Sequence, residues 1–307
     1  MKSKDSPLHS NNPSGIQIWL MAARPRTLGA ALAPVIIGTA LAFGDGHRAW
    51  LAALAAALGA MLIQIGTNFA NDYFDFLKGA DTAERLGPTR VTQAGLVSPE
   101  QVRNAFVLTF GLTALPGLYL VYLGGWPVLL LGCLSIASGV LYTAGPFALA
   151  YLGLGDLFVL LFFGFVATCG SYYVQSGTLT TAVLLASLAP GLLSMAILTV
   201  NNLRDRLTDT ASGKRTLAVR FGPGFVRFEY LSCWLGAAAV PWLIYVLTPH
   251  QAPFSLLASG VALLAIPALR KVFALDADPA LNPVLGETGK LLLIYSLVFS
   301  AGWLIRL

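Results

Sequence analysis

Runs of about 20 apolar residues, the length an α-helix needs to cross the hydrocarbon of a bilayer, recur along the whole chain. Nine are read from the sequence, over residues 24–43, 50–70, 102–123, 126–144, 156–176, 180–201, 225–247, 253–272 and 288–306. Only 11% of the 307 residues are charged, against about 25% in a soluble domain. The short alternating segments of a membrane β-barrel are absent. The expected fold is all-α and polytopic: a polar tail over 1–15, then one membrane domain over 16–307. The tail, MKSKDSPLHSNNPSG, has no apolar core of the kind a cleaved signal peptide carries, and IQIWLMAAR after it suits the membrane surface. Kinks are expected at Pro34, Pro116, Pro127, Pro190, Pro241 and Pro267, because lipid-embedded helices tolerate proline where neighbours satisfy the freed carbonyls.

With nine spans, all of the 19 basic residues except Arg48 and Arg306 fall on one side. Basic residues concentrate in cytoplasmic loops, so the N-terminus and the loops after spans two, four, six and eight are expected in the cytoplasm. The net charge of +5 then reflects topology and attraction to anionic lipid, not nucleic-acid binding. Cys133, Cys169 and Cys233 lie in apolar runs as packing residues, and His9, His47 and His250 have no metal-ligand spacing.

Two loops on that side break the apolar background: NDYFDFLKGADTAERLGPTRVTQAGLVSP from Asn71, and NNLRDRLTDTASGKRTLAVRFG from Asn201. Charged residues beside a span are usually just solvated, and the first loop alone would be read so. The pattern occurs twice, however. Asn71 and Asp75 are four apart, as are Asn201, Asp205 and Asp209, which puts each set on one helical face. Each set follows an even-numbered span, suggesting a four-helix unit used twice and then a ninth helix. Paired carboxylates facing two more repel by about 4 kcal/mol per close pair at an effective dielectric near 20, so positive charge must sit among them. Asp and Asn are hard oxygen donors suited to Mg²⁺ shared with a phosphate. Lys78, Arg85, Arg90, Lys214 and Arg215 can hold that phosphate.

At these residues the chain resembles the UbiA-type superfamily of intramembrane aromatic prenyltransferases. Its members carry an Asn-Asp-x-x-Asp motif after the second helix and a D-x-x-x-D motif with a downstream Gly and Ser/Thr after the sixth, matched here by Asp205, Asp209, Gly213 and Thr216. The first motif departs from the commonest form, with five residues between Asp75 and Asp81 instead of three. That longer NDYxDxxKGxD, the RLGPTR after it, RPRTL in the first span and YTAGPFALAYLGLGD after the fourth look like the 1,4-dihydroxy-2-naphthoate branch. The resemblance implies two Mg²⁺ ions held by Asp75, Asp81, Asp205 and Asp209 with Asn71 and Asn201. It also implies a polyprenyl diphosphate donor, and a 1,4-dihydroxy-2-naphthoate acceptor prenylated with loss of CO2, as in menaquinone synthesis, at the cytoplasmic face of the inner membrane.

Gln64, Asn68 and Tyr142 are candidate pocket residues, polar and near a cytoplasmic helix end. A tyrosine there can equally be an interface anchor, and Arg24 either meets the acceptor carboxylate or marks the inside face. The string GETGK at 286–290 lacks the spacing and preceding strand of a P-loop. A secondary transporter would place its ionisable groups near the midplane, where these spans carry almost none. A phosphatidyltransferase would need a D-G-x-x-A-R run that is missing, and related prenyltransferases of 4-hydroxybenzoate or homogentisate fit the first-motif spacing less well. A phytyl donor stays open.

Overall fold

The computed structural model describes residues 13–79, 86–248 and 252–305, and every regular element among them is helical. Helix α1 spans Gly15–Ala23, α2 Pro25–Gly44 and α3 Trp50–Leu77. Then come α4 over Pro99–Gly124, α5 over Trp126–Leu141 and α6 over Gly155–Ser176. The chain continues through α7 (Thr181–Arg204), the short α8 (Arg206–Ala211) and α9 (Leu217–Leu247). It ends with α10 over Pro253–Ala274 and α11 over Pro279–Leu304.

Eight of these are long and apolar enough to cross a membrane; α5, which stands where the fourth of the nine runs is read, is shorter, at 16 residues. At 1.5 Å per residue it is about 24 Å long, less than the ~30 Å of hydrocarbon. The 28 residues of α3 reach about 42 Å, so its last turns extend past the hydrocarbon as helix and carry Asn71 and Asp75 with them.

Local chemistry fixes the corners. Ser14 and Gln17 cap α1 reciprocally, and the chain reverses at Arg24, in left-handed conformation with φ 52°, before Pro25 opens α2. Ser98 and Gln101 cap α4 in the same way. Of the prolines, Pro116 and Pro267 follow breaks at Thr113 and Ala265, and Pro127 sits in the first turn of α5. Pro34, Pro190 and Pro241 stay inside continuous helices. The sharp break in α9 is at Gly222 (φ 76°), just before Pro223.

The interior is built unevenly. One core joins α2, α6, α7, α9, α10 and α11 around Ile37, Leu193, Tyr230, Trp234, Tyr295 and Phe299. Small residues set its spacing, since helices in lipid associate by close backbone approach. A Cβ on Gly38 of α2 would collide with the Thr168 carbonyl of α6. Gly38→Ala is therefore expected to cost about 1–3 kcal/mol, read as an earlier midpoint in detergent-titrated unfolding; an unchanged midpoint would show that α2 and α6 separate freely. The other half stays open: α5 buries none of its side chains, and a cavity of about 760 Å³ is lined by α2, α3, α4, α5 and α6 together.

Candidate active site

Both polar loops converge at one end of this cavity. Its walls are almost wholly apolar, among them Val35, Ile63, Leu120, Leu131 and Phe162. Its polar lining at the loop end is Gln64, Thr67, Asn71 and Tyr142. Thr143 donates to the Asn71 side-chain oxygen at 3.0 Å, fixing that amide at the rim. The size falls in the ordinary range of small-molecule sites, and the shape is a long apolar slot with a polar mouth.

Asp75, one turn beyond Asn71, is 1% exposed and carries two cations. Arg90 donates to its Oδ2 at 2.9 Å, and the Lys214 ammonium stands 3.3 Å from its Oδ1. A first-loop acid and a second-loop base are thereby in contact although 139 residues apart in sequence. Lys78 and Lys214 both lie over the Tyr151 ring, 4.2 and 5.5 Å from its centre, and Lys78 also donates to the Gly145 carbonyl at 2.8 Å. Partial burial holds the Lys78 ammonium below the usual lysine range; Asp75 pulls it back up and Lys214 adds to the lowering.

The second loop is organised by Arg204, which is 1% exposed. Its guanidinium donates to Asp205 through Nε at 2.8 Å and Nη2 at 2.5 Å, and to the Asn201 side-chain oxygen at 2.8 Å. Nη1 reaches Asn282 at the start of α11, and Asn282 donates in turn to the Leu86 carbonyl, both at 2.8 Å. One buried side chain thus ties the second motif to the last helix and to the first loop. Asp209 is buried in α8, Gly213 turns the chain at φ 76°, and Thr216 caps α9 by accepting from the Val219 N–H. The glycine and threonine of the second motif therefore do backbone work. Arg215 is exposed and joins the site through its backbone N–H, which donates to the Tyr151 carbonyl.

Asp81 and Arg85 lie outside the described residues. Asn68 is buried, and its amide donates to the Ala23 carbonyl and to Thr27, both at 2.9 Å, so it braces the α1–α2 corner beside the cavity. Among the described residues no three carboxylate, thiol or imidazole side chains stand close enough to chelate an ion; Arg90, Lys214 and Arg204 neutralise the acids instead. Sequence reasoning misses Asp72, whose Oδ2 accepts from the Val91 N–H at 3.2 Å and anchors the loop bearing Arg90. It likewise misses Arg204 and Asn282, and two buried acids in the spans, Asp156 and Glu229. The Asn-Asp pair at 71–72 is a visible signal for the first. For Asn282, nearly 80 residues from the second motif, the sequence carries none.

Residues 31–285 match the sequence profile of the UbiA prenyltransferase family. The 1,4-dihydroxy-2-naphthoate octaprenyltransferase of Escherichia coli (strain K12) is 40% identical over 94% of this chain and 96% of its own. The protein of the same name from Mycobacterium tuberculosis is 37% identical over 91% and 94%. A UbiA homologue from Archaeoglobus fulgidus, solved bound to DMAPP and Mg²⁺, shares the fold at TM-score 0.61 and 16% identity, over 92% of this chain and 99% of that one. Profile, relatives and fold agree along nearly the whole length, and the chain belongs to the UbiA prenyltransferase family, as an integral membrane member.

Proposed function

We propose that the protein transfers a polyprenyl group from polyprenyl diphosphate to 1,4-dihydroxy-2-naphthoate, with loss of CO2 and diphosphate, giving demethylmenaquinol. The observation that carries this reading is the junction of a long apolar cavity with a rim of buried acids and cations, where Asn71 and Tyr142 line the mouth and Asp75, Arg90 and Lys214 stand behind it. An isoprenoid tail is as apolar as the slot and a diphosphate as charged as the rim. The two relatives described above are named for this acceptor and for an octaprenyl donor.

The donor set suits Mg²⁺. Asp75, Asp205 and Asp209 with the amide oxygens of Asn71 and Asn201 are all hard oxygen ligands, and the buried Asp75 Oδ1 faces only the Lys214 ammonium, 3.3 Å away. In this reading those residues, with Asp81, hold two ions, whose chemistry is to offset the charge of the departing diphosphate. The chain's own groups do the rest. Arg90, Lys78 and Lys214, with Arg85 and Arg215, grip the phosphate oxygens. Arg204 keeps Asn201 and Asp205 aligned, and Asn68 holds the α1–α2 corner in place. The apolar walls exclude water from the allylic cation, which would otherwise be hydrolysed. The site faces the cytoplasm of the inner membrane, following the one-sided distribution of basic residues.

Membranes containing the protein, given carboxyl-labelled 1,4-dihydroxy-2-naphthoate, a series of polyprenyl diphosphates and Mg²⁺, are expected to release labelled CO2 together with a lipid-soluble product. Release should stop with EDTA. Prenylation of 4-hydroxybenzoate or homogentisate in place of the naphthoate would move the protein to another branch, and no transfer to any phenol would overturn the enzymatic reading.

A further inference from the structure

Asp156, at the start of α6, is 5% exposed and its Oδ1 has no hydrogen-bond partner. Three other buried aspartates near the site are neutralised or anchored: Asp75 by Arg90 and Lys214, Asp205 by Arg204, Asp72 by the Val91 N–H. No ion pair among the described residues includes Asp156. A carboxylate without a cation against it is a better proton acceptor than one held in an ion pair.

Its surroundings connect it to the reaction. Asp156 lines a void of about 10 Å³ together with Tyr142, Asn202 and Thr216, and Tyr142 also lines the large cavity. The phenol is therefore the wall between the two. Its hydroxyl lies 3.0 Å from where a Cβ on Gly155 would stand, beside the backbone of Asp156, and that glycine is what lets it approach. Glu229 of α9 is a second buried acid in the spans.

We propose that Asp156, acting through the Tyr142 hydroxyl, receives the proton of the acceptor's ring hydroxyl during prenyl transfer; this rests on the function proposed above and places the acceptor against Tyr142 at the cavity mouth. The acceptor O–H bond breaks and its proton passes to the Tyr142 oxygen while the tyrosine's own proton moves to Asp156. The oxygen's electron pair flows into the ring, and the carbon bearing the carboxylate forms a bond to the first carbon of the prenyl chain. The bond from that prenyl carbon to the diphosphate oxygen breaks, its electron pair leaving with the diphosphate. Loss of CO2 returns an electron pair through the ring to the oxygen, and the proton travels back by the same route. Asp156 is ionised again at the end of each turnover, and no external base is consumed. Tyr142 is the catalytic residue of this relay and Asp156 the positioning residue behind it.

The test is Asp156→Asn in the full-length membrane protein, assayed with 1,4-dihydroxy-2-naphthoate and with a ring-fluorinated analogue whose hydroxyl is more acidic. With the natural acceptor kcat should fall by about 10²-fold or more, the scale of a lost general base, with the KM for the prenyl diphosphate unchanged. The fluorinated acceptor should recover at least about tenfold of that loss, because it needs less help to give up its proton; a packing defect would lower both acceptors alike. Tyr142→Phe should reproduce the pattern, and it carries the test if Asp156→Asn fails to assemble. Equal losses on both acceptors, or full activity of either variant, would overturn the relay. Wild-type protein that prenylates no phenol would overturn the proposed function and the relay together, whereas active wild type with an insensitive Asp156→Asn overturns the relay alone.

Discussion

Asp75→Asn is expected to lower CO2 release by about 10³-fold while the protein remains folded in the membrane. The substitution keeps the shape of the side chain and its acceptor oxygen for Arg90, and removes only the charge. In the function proposed above Asp75 holds cations against the diphosphate, and electrostatic groups at the point where leaving-group charge develops typically contribute about 10²–10³-fold each. Asp75 stands higher in that range because it is nearly fully buried and meets cations from both sides, Arg90 at 2.9 Å and Lys214 at 3.3 Å. The structural cost is smaller than for most buried ion pairs. Lys214 is only partly buried and can turn toward water, and Arg90 keeps one acceptor, so about 1–3 kcal/mol is expected. Activity and detergent-titrated unfolding on the same preparation separate the two effects. Near-normal CO2 release would remove Asp75 from the diphosphate site.

Asp205→Asn is expected to inactivate as strongly but also to destabilise, by about 3–5 kcal/mol, since it leaves the 1%-exposed Arg204 guanidinium without its charge partner. Asn201 and Asn282 still accept from Arg204, but neutral acceptors do not offset a buried charge. Adding Arg204→Gln removes that charge and should restore much of the lost stability without restoring activity. The double-mutant cycle should give a coupling of about 1–3 kcal/mol in unfolding free energy. Additive destabilisation would mean that the pair does not organise the loop, and recovered activity would mean that Asp205 acts only by balancing Arg204.

The first loop shows what a sequence makes legible. Asn71 and Asp75 stand out because hard polar groups directly after 20 apolar residues contrast sharply with them, and their four-residue spacing fixes a shared face. The charged partners of Asp75 are equally visible as residue types, although which of them reaches it is not. Asp72 lies between the two motif residues and escapes notice, because nothing in its spacing tells an acid that anchors a loop from one that meets a ligand. Asp156 and Glu229 are hidden for a different reason. Single acids in long apolar runs barely alter the hydropathy that marks a span, so the spans read as almost free of charge.

The sequence by itself determined the all-helical membrane fold, the two acidic loops and the kind of chemistry they suit. Chain-local physics suffices for these: hydrocarbon thickness sets the length of a span, and helical periodicity sets the face on which residues i and i+4 meet. Only the tertiary structure decided that α2, α3, α4, α5 and α6 enclose a cavity while the second half packs solid, that Lys214 closes on Asp75, and that Arg204 and Asn282 join the two loops. Those outcomes depend on which small residues allow two backbones to touch, as at Gly38 and Thr168. Contacts between residues more than a hundred positions apart leave no periodic trace in a single chain, because each partner's own neighbourhood is satisfied without the other.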